Sequence, residues 1–260
     1  MRSPADTIHL VAATAGFISY VLLWATVIWG VLLRRGWSSQ STRYSSLYAT
    51  HMTLALIGLT LGWGHAFTQL ANPVGTVFLI DEFIPFANAR DPIGIGVGVI
   101  ATEMMTALMV SIPLQRRLGY ARWRAIHALS YASFTLVAGH VILSGSEGNL
   151  LVVKVPVIAL WLSTVVAWFV AAGRSRVSAR RDPDRGRRPA TVAVDPAKCS
   201  RFGFCEQEAP AIFALRNDGR LAYKANVAPE QVEAVARAAK VCPARAIRMK
   251  RGEPATTRNA

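Results

Sequence analysis

Residues 51–65, HMTLALIGLTLGWGH, decide the fold of this chain together with residues 127–140, HALSYASFTLVAGH. Each stretch is an apolar run that begins and ends with a histidine. Ionisable or ligating side chains at membrane depth are costly without a partner, so they mark functional sites by default. The two stretches therefore predict two membrane-crossing helices that hold a functional centre between them.

The composition indicates a membrane protein. The 260 residues are 52% hydrophobic and 17% charged, whereas soluble domains are about 25% charged. Five apolar segments approach the length of about 20 residues that crosses a bilayer as a helix: Leu10–Leu33, Leu47–Leu70, Pro92–Leu114, Ile126–Leu143 and Leu150–Ala172. We expect a mainly α-helical membrane protein with a five-helix bundle over residues 1–173. The first segment is too long for a signal peptide, so we expect it to be retained.

The charges of the connecting loops predict an orientation. Three connections are rich in arginine: Arg34, Arg35 and Arg43 after the first span, Arg116, Arg117, Arg122 and Arg124 after the third, and seven arginines from Arg174 to Arg188 after the fifth. The other two connections are not rich in arginine. The second carries Asp81, Glu82 and Arg90, and the fourth carries Glu147 and Lys154. Positively charged loops stay in the cytoplasm, so the N-terminus is expected outside and the C-terminus inside. This placement makes membrane lipid, and not nucleic acid, the expected partner of a chain whose net charge is +14.

The four histidines within the spans form two levels. Helices 2 and 4 run in the same direction, so His51 and His127 lie near their cytoplasmic ends and His65 and His140 lie nearer the outer face. A rise of about 1.5 Å per residue puts the levels roughly 20 Å apart. A haem fits each level, because its plane slots between two helices and takes one imidazole on each face. Zinc would need further ligands. We therefore expect two b-type haems, an inner one on His51 and His127 and an outer one on His65 and His140.

The spacing of the histidines on helix 4 does not fit a straight helix. At about 100° per residue, the step from His51 to His65 returns to within roughly 40° of the same face, whereas the step from His127 to His140 ends about 140° away. Either the two haems approach helix 4 from different sides, or this helix is locally distorted, for which Gly139 is a candidate cause.

Other residues keep two interpretations each. Asp81 and Glu82 could bind ferric iron beside the outer haem, although ordinary loop carboxylates are favoured. The arginines Arg43 and Arg124 either pair with a haem propionate or anchor the topology. The glycines of the second span, Gly58, Gly62 and Gly64, either give the haem room or let helices pack closely. The glycines at the start of the third span, Gly94, Gly96 and Gly98, resemble a nucleotide-binding loop, but no strand precedes them, so close helix packing is the better interpretation. His9 is expected to be incidental.

The histidine spacing resembles the ferric reductase-like transmembrane domain of NADPH oxidases, ferric reductases and the membrane subunit of methionine sulfoxide reductase systems. Further stretches are similar to bacterial members: Ile84-Pro85-Phe86, Trp123-Arg124-Ala125-Ile126-His127 and Leu143-Ser144-Gly145-Ser146-Glu147. The resemblance covers roughly residues 8–173. It implies electron transfer from the cytoplasm, through the His51/His127 haem and then the His65/His140 haem, across a bacterial plasma membrane. The flavin and nicotinamide domain of the oxidases is not found after this region, so direct oxidation of NAD(P)H is not expected.

A second domain is predicted beyond an Arg-rich cytoplasmic linker at 174–190. Residues 191–250 follow a pattern of strand, cluster loop, helix, hairpin around Asn217-Asp218-Gly219, helix and strand, which suits a small α+β ferredoxin-like domain. A tail at 251–260 is expected to be disordered. The cysteines are Cys199, Cys205 and Cys242, the last followed by Pro243. Soft thiolate ligands in this arrangement predict an iron–sulfur cluster.

The cysteine pattern resembles single-cluster actinobacterial ferredoxins, including Ala209-Pro210-Ala211-Ile212-Phe213 and the stretch that begins at Cys242. Phe202 stands where bacterial ferredoxins have their middle cysteine. Three thiolates can hold a [3Fe–4S] cluster, which is the first choice, and a [4Fe–4S] cluster with a non-cysteine fourth ligand is the alternative.

These sites predict the order in which electrons pass along the chain. A cytoplasmic donor, such as a ferredoxin reductase, would reduce the cluster, which would feed the inner haem, the outer haem and an extracytoplasmic acceptor. The expected function is that of a transmembrane reductase, an oxidoreductase that needs a separate reductase partner. The alternatives are a relay subunit that exchanges electrons with quinone or a partner enzyme and has no terminal chemistry of its own, and a non-redox transporter with a histidine proton relay.

Overall fold

The computed structural model of the chain describes residues 3–35, 44–72, 77–118, 120–144, 150–177, 189–199, 201–216, 220–242 and 244–251. Among these residues the chain forms two compact units, one comprising Met1–Trp37, Ala49–Ile112 and Ala125–Gly173, and the other comprising Ser38–Tyr48, Pro113–Arg124 and Arg174–Ala260. Several sequence features lie outside the described residues: Arg43, Glu147, residues 178–188, Asn217-Asp218-Gly219, Pro243 and residues 252–260.

The first unit is helical, as predicted. Its helices, numbered in chain order with their full bounds, are α1 (Pro4–Arg35), α2 (Tyr44–Leu70), α3 (Pro92–Leu118), α4 (Tyr120–His127), α5 (Ser130–Ser144) and α6 (Leu151–Val177). A short 3₁₀ turn, Leu79–Glu82, lies between α2 and α3. The first residues of α2, the last residues of α3, most of α4 and the end of α6 belong to the second unit.

Four helical stretches are long and apolar enough to cross a membrane by length and composition: Pro4–Leu32, Pro92–Leu114, Arg122–Ser144 and Leu151–Phe169. The sequence predicts five. The difference is α2, which has 27 residues and is not among the stretches that meet this measure. The mainly α-helical membrane fold is confirmed, with one span fewer by this measure.

The expected fourth span is divided into two helices. The helix α4 ends at His127 and α5 begins at Ser130. Between them the backbone tightens, since the amide of Leu129 donates to the carbonyl of Ile126 at 2.9 Å and that of Tyr131 donates to Ala128 at 3.2 Å. These are bonds to the third residue back, as in a 3₁₀ helix with about 3 residues per turn. Each such residue rotates the chain by about 120° instead of 100°, so the break turns His140 toward the face of His127.

Gly139 is not the site of this distortion. It lies within α5, and a Cβ placed there would meet only Val97, at 3.9 Å. A local distortion of the histidine-bearing span, one of the two alternatives, is therefore present, but it immediately follows the first histidine and does not lie at Gly139.

Polar bonds tie the helices of the first unit together. The ring of Tyr20 stacks on Phe134 with centroids 5.1 Å apart, and its hydroxyl donates to the carbonyl of Val157 at 2.8 Å. The hydroxyl of Ser133 donates to the Ala101 carbonyl at 2.8 Å. Such bonds, with close packing of small residues, hold membrane helices together where lipid removes the hydrophobic drive for association.

Large apolar side chains cover the outside of these helices. Val152 is 76% exposed, Phe169 63% and Val110 59%. A soluble protein does not leave so much contiguous apolar surface in water. These faces are the expected lipid-facing surface of a membrane protein.

The C-terminal part of the second unit is a small α+β fold, as predicted. Three antiparallel strands lie in the order β4 (Asn226–Val227), β1 (Ala190–Val194), β5 (Ile247–Arg251), and β2 (Phe213–Leu215) pairs with β3 (Leu221–Tyr223). The helices are α7 (Phe204–Glu208) and α8 (Val232–Val241), the latter entered through a 3₁₀ turn at Pro229–Gln231.

The core of this fold forms because α8 is amphipathic. Its residues Val232, Val235 and Ala238, three apart, are fully buried, whereas Arg237 reaches out to Glu208 of α7 at 3.3 Å. The apolar stripe of the helix covers Val192 of β1 and Phe213 of β2. This packing brings the C-terminal end of α8, where Cys242 lies, to the other cysteines.

Candidate cofactor sites

The four histidines of the first unit meet in two pairs. The rings of His51 and His127 have centroids 6.3 Å apart with an interplanar angle of 68°. Those of His65 and His140 lie 6.1 Å apart at 74°. These are the pairs that the sequence predicts. A metal–imidazole bond of about 2 Å and a ring radius of about 1.2 Å put two imidazoles on opposite sides of one metal about 6.4 Å apart. Each pair is therefore spaced for one metal between its rings.

Backbone carbonyls fix the orientation of three of these rings. The Nδ1 atom of His65 lies 2.8 Å from the carbonyl oxygen of Ala12, that of His140 lies 2.8 Å from Gly94, and that of His51 lies 3.1 Å from Thr26. A carbonyl oxygen only accepts, so Nδ1 carries the proton and Nε2 keeps its lone pair for a metal. Ligating histidines commonly donate their other ring N–H in this manner.

Each of these carbonyls lies four residues before a glycine on which the same ring packs. A Cβ at Gly16 would come within 3.0 Å of His65, one at Gly30 within 3.3 Å of His51 and one at Gly98 within 2.6 Å of His140. The carbonyl and the glycine lie on one helical turn, so the ring sits in a recess that any larger residue would fill. We call this arrangement a carbonyl–glycine seat.

Two of the seats match the histidines of α2 in their spacing along the chain. Gly16 and Gly30 are 14 residues apart on α1, the same separation as His65 and His51 on α2. Because α1 and α2 run in opposite directions, Gly30 meets His51 and Gly16 meets His65. The sequence interpretation missed helix α1 as a partner of the histidines, although this matching separation is readable from the chain alone.

The glycines of α2 have a different role. A Cβ at Gly58 would contact Leu23 at 3.1 Å, and one at Gly62 would contact Ser19 at 3.2 Å, whereas Gly64 has nothing within 4 Å. The Ser19 hydroxyl donates to the Gly58 carbonyl at 2.7 Å. Close packing of α1 on α2 is therefore the role of Gly58 and Gly62, which was one of the two interpretations.

A cavity of about 450 Å³ surrounds the His65/His140 pair. Apolar residues such as Phe17, Leu59 and Val141 line it, and so do polar residues, among them Gln69, Asn72, Glu82, Arg90, Asp91 and Ser144. His9, expected to be incidental, also lines this cavity. Its size and apolar walls suit a flat organic cofactor, and His65 and His140 point imidazoles into it from two helices.

A network of hydrogen bonds connects polar residues of the cavity and of the neighbouring loop. One oxygen of Asp81 accepts from the Phe78 amide and from the Asn88 side chain, both at 2.9 Å. The Asn88 side-chain oxygen in turn accepts from the Asp91 amide at 2.9 Å. Asp91 accepts from the Gly94 amide at the start of α3 and from Ser144 at the end of α5. The loop is thus fixed to the helices that carry the His140 seat.

Asp81 and Glu82 are not the exposed loop carboxylates that the sequence favours. They are only 2% and 8% exposed, and Glu82 lines the cavity. Burial, together with the neighbouring charge of Asp81, raises the pKa of Glu82 to about 7. A hydropathy pattern cannot distinguish a loop carboxylate that faces solvent from one that faces a cavity.

The three cysteines line one pocket in the second unit, together with Phe202, Phe204, Leu215 and Leu221. Cys199 follows β1, Cys205 lies in α7 and Cys242 follows α8. Burial and then the nearby thiols of Cys242 and Cys199 raise the pKa of Cys205 to about 11. Within the described ranges, no group of three or more His, Cys, Asp or Glu side chains is close enough to hold a single metal ion. Thiolates that each bind a different iron of a cluster lie farther apart than the ligands of one ion.

The loop between the first two cysteines folds around this pocket. Arg201 and Gly203 both have left-handed backbones, with φ of 58° and 78°. Gly203 occupies this conformation without strain, unlike a residue with a side chain. Turns of this kind point successive backbone N–H groups into a concavity that suits anionic groups, including iron–sulfur clusters.

A row of stacked aromatic rings adjoins the cysteine pocket. Phe202 stacks on Phe204 with centroids 6.0 Å apart and an angle of 23°. Phe204 stacks on Trp123 of α4 at 6.2 Å and 21°, within the same unit. Trp123 lies one helical turn before His127 on that helix. Sequence reasoning noted Phe202 only as the residue in place of a cysteine and did not predict the stack.

Two known families match parts of the chain. The family described as ferric reductase like transmembrane component matches residues 15–138, which include His51, His65 and His127 and end two residues before His140. The family described as 4Fe-4S single cluster domain matches residues 192–249, which include all three cysteines. No curated protein and no solved structure matched the chain.

Proposed function

We infer that this chain, which joins a ferric reductase-like transmembrane domain to a single-cluster iron–sulfur domain, carries electrons across a bacterial plasma membrane. The first domain makes the chain a membrane protein. Both domains are redox domains, so the chain has an electron-transfer role. The proposed path runs from a cytoplasmic donor through the cluster, a haem on His51 and His127 and a haem on His65 and His140, to an extracytoplasmic acceptor.

The observation that carries this proposal is the pairing of four histidines, three of which turn Nδ1 to a backbone carbonyl. Those three rings are held with Nε2 free, and the two pairs have ring separations of 6.3 and 6.1 Å. A b-type haem on each pair would supply reversible one-electron chemistry. Two imidazole ligands would leave neither haem iron an open position for substrate, which favours relay of electrons over chemistry at the metal.

Cys199, Cys205 and Cys242 are the proposed cluster ligands. Three thiolates favour a [3Fe–4S] cluster, and a [4Fe–4S] cluster with a fourth ligand other than cysteine is the alternative. The family description names the second type. The apolar side chains around the pocket would shield the cluster from water, which is one of the factors that set its potential.

Loop charges support the proposed orientation. Arg117, Arg122 and Arg124 are exposed at the ends of α3 and α4, and basic loops of this kind remain in the cytoplasm. The proposed domains are a membrane domain at 1–173, a linker at 174–190, a cluster domain at 191–250 and a tail at 251–260. The cluster domain would accept electrons from a cytoplasmic partner such as a ferredoxin reductase.

The aromatic stack supports transfer between the cluster and the His51/His127 haem. Phe204 is the neighbour of Cys205 in the chain, and Trp123 lies four residues before His127 on α4. The stack therefore links the cysteine loop to Trp123 within the second unit, and Trp123 belongs to the helix that ends at His127.

Haem and iron analysis of the purified protein, combined with single histidine variants, tests the proposal. We expect two b-type haems per chain. His51→Ala and His127→Ala should lose the same haem, and His65→Ala and His140→Ala the other. EPR with iron and sulfide analysis assigns the cluster type. Full haem content in any of these variants would contradict the ligand assignment.

Reconstituted vesicles separate the two electron-transfer functions. A transmembrane reductase passes electrons to an impermeant acceptor on the side opposite the cluster domain. A relay subunit instead reduces a quinone dissolved in the bilayer and leaves the impermeant acceptor oxidised.

A further inference from the structure

We propose that Glu82 takes up one proton from the extracytoplasmic side when an electron reaches the His65/His140 haem, and releases it when that electron leaves. The inference rests on the proposed function, since it needs a haem in the cavity around these histidines. In the balanced step, one electron from the inner haem would reduce the ferric iron of the outer haem, and one proton from extracytoplasmic water would convert the Glu82 carboxylate to the carboxylic acid. The net charge of the cavity is then unchanged.

The position of Glu82 carries the proposal. Its side chain is 8% exposed and lines the same cavity as His65 and His140. It lies in the loop between α2 and α3 and not within a span, so extracytoplasmic water is the nearest source of protons in the proposed orientation. A carboxyl in this place lies within the electrostatic field of any charge that enters the cavity.

The hydrogen-bond network leaves Glu82 out. Asp81 accepts two hydrogen bonds, from Phe78 and Asn88, and Asp91 accepts two, from Gly94 and Ser144. None of these hydrogen bonds of the loop is accepted by Glu82. Donors stabilise an ionised carboxylate, and burial without them disfavours it. Glu82 is therefore the carboxyl of this cavity for which gaining a proton costs least.

The surrounding charges agree with this role. The titratable and charged groups that line the cavity with Glu82 are His9, His65, Arg90, Asp91 and His140, and Asp81 precedes it in the chain. The pKa of Glu82, raised to about 7 by burial and by Asp81, lies near neutrality. An added electron nearby disfavours the carboxylate further, and by linkage the proton favours the reduced haem.

Redox titration of the whole protein at pH 6, 7 and 8 tests the inference. The outer haem is identified as the one that His65→Ala removes. Its midpoint potential should fall with rising pH in the wild type, by at most about 59 mV for each tenfold fall in proton activity, the limit for one proton per electron. Glu82→Gln, which is isosteric and cannot titrate, should remove most of this slope. Glu82→Asp should retain a slope.

Two controls make the result specific. The inner haem, lost in His51→Ala, should show the same pH dependence in the wild type and in Glu82→Gln. Glu230→Gln, the same chemical change at an exposed site of the cluster domain, should leave both haems unchanged. An outer-haem slope that is equal in the wild type and in Glu82→Gln overturns the inference and leaves the proposed function intact. Absence of haem from the wild type overturns the proposed function itself.

Discussion

Replacement of Gly98 by alanine tests whether the carbonyl–glycine seat positions a haem ligand. The new Cβ would lie 2.6 Å from Nδ1 of His140 and 2.9 Å from two further ring atoms. Favourable contacts of this kind need about 3.5 Å or more, so the ring must move by roughly 1 Å. That movement breaks or stretches its bond to Gly94, which is 2.8 Å long.

The cost has two parts. Overpacking typically costs about 1–3 kcal/mol, and loss of the hydrogen bond costs about 0.5–1.5 kcal/mol. Changes to groups that orient a ligating histidine typically weaken metal binding by about 10–100-fold. We therefore expect Gly98→Ala to lose most of the His65/His140 haem on purification and to retain the His51/His127 haem. The assay is the haem-to-protein ratio, with low-temperature optical spectra that resolve the two haems.

Matched glycine variants sharpen this test. Gly64→Ala, beside His65 in sequence but with nothing within 4 Å, should keep both haems. The distances predict a graded series, in which Gly98→Ala has the largest effect, Gly16→Ala at 3.0 Å an intermediate one and Gly30→Ala at 3.3 Å the smallest. Full haem content in Gly98→Ala, or an equal loss in Gly64→Ala, would refute the reasoning.

Three further predictions concern other parts of the chain. Cys242→Ser should lose the cluster iron and sulfide while both haems remain, and an intact cluster EPR signal in this variant would exclude Cys242 as a ligand. Trp123→Ala should slow haem reduction after flash reduction of the cluster. Trp123→Phe can still stack on Phe204, so its rate of haem reduction should stay close to that of the wild type. Equal rates in all three proteins would show that electrons do not pass through the stack. Tyr20→Phe removes the hydroxyl that bonds to Val157, so the unfolding free energy in detergent should fall by about 0.5–1.5 kcal/mol, and an unchanged unfolding midpoint would contradict that role.

Much of the fold could be predicted from the sequence, because it depends on the pattern of residues within each segment. Apolar length predicted the helices, and two histidine spacings predicted which rings meet. The order of strands and helices around Cys199, Cys205 and Cys242 was also predictable, since amphipathic spacing and turn residues are local signals. One expected span, α2, does not meet a simple measure of membrane crossing.

The remaining features depend on contacts between distant segments. The break after His127 lies in an apolar stretch with no glycine or proline nearby, so nothing local marks it. The seat of His65 joins residues 53 positions apart, and the burial of Glu82 depends on a cavity formed by several helices. Equal spacing of Gly16–Gly30 and His51–His65 is the exception, because it could have been read from the sequence.

Electron transfer through sealed vesicles tests the central claim most directly. The protein is reconstituted with its cluster domain outward, an impermeant oxidant is trapped inside, and an impermeant reductant is added outside under anaerobic conditions. We expect the trapped oxidant to be reduced by the wild type, and not by His51→Ala or His65→Ala with the cluster still assembled. Reduction that continues in both variants, or a wild type that carries both haems and the cluster and transfers no electrons to either the trapped oxidant or a membrane quinone, would contradict the account.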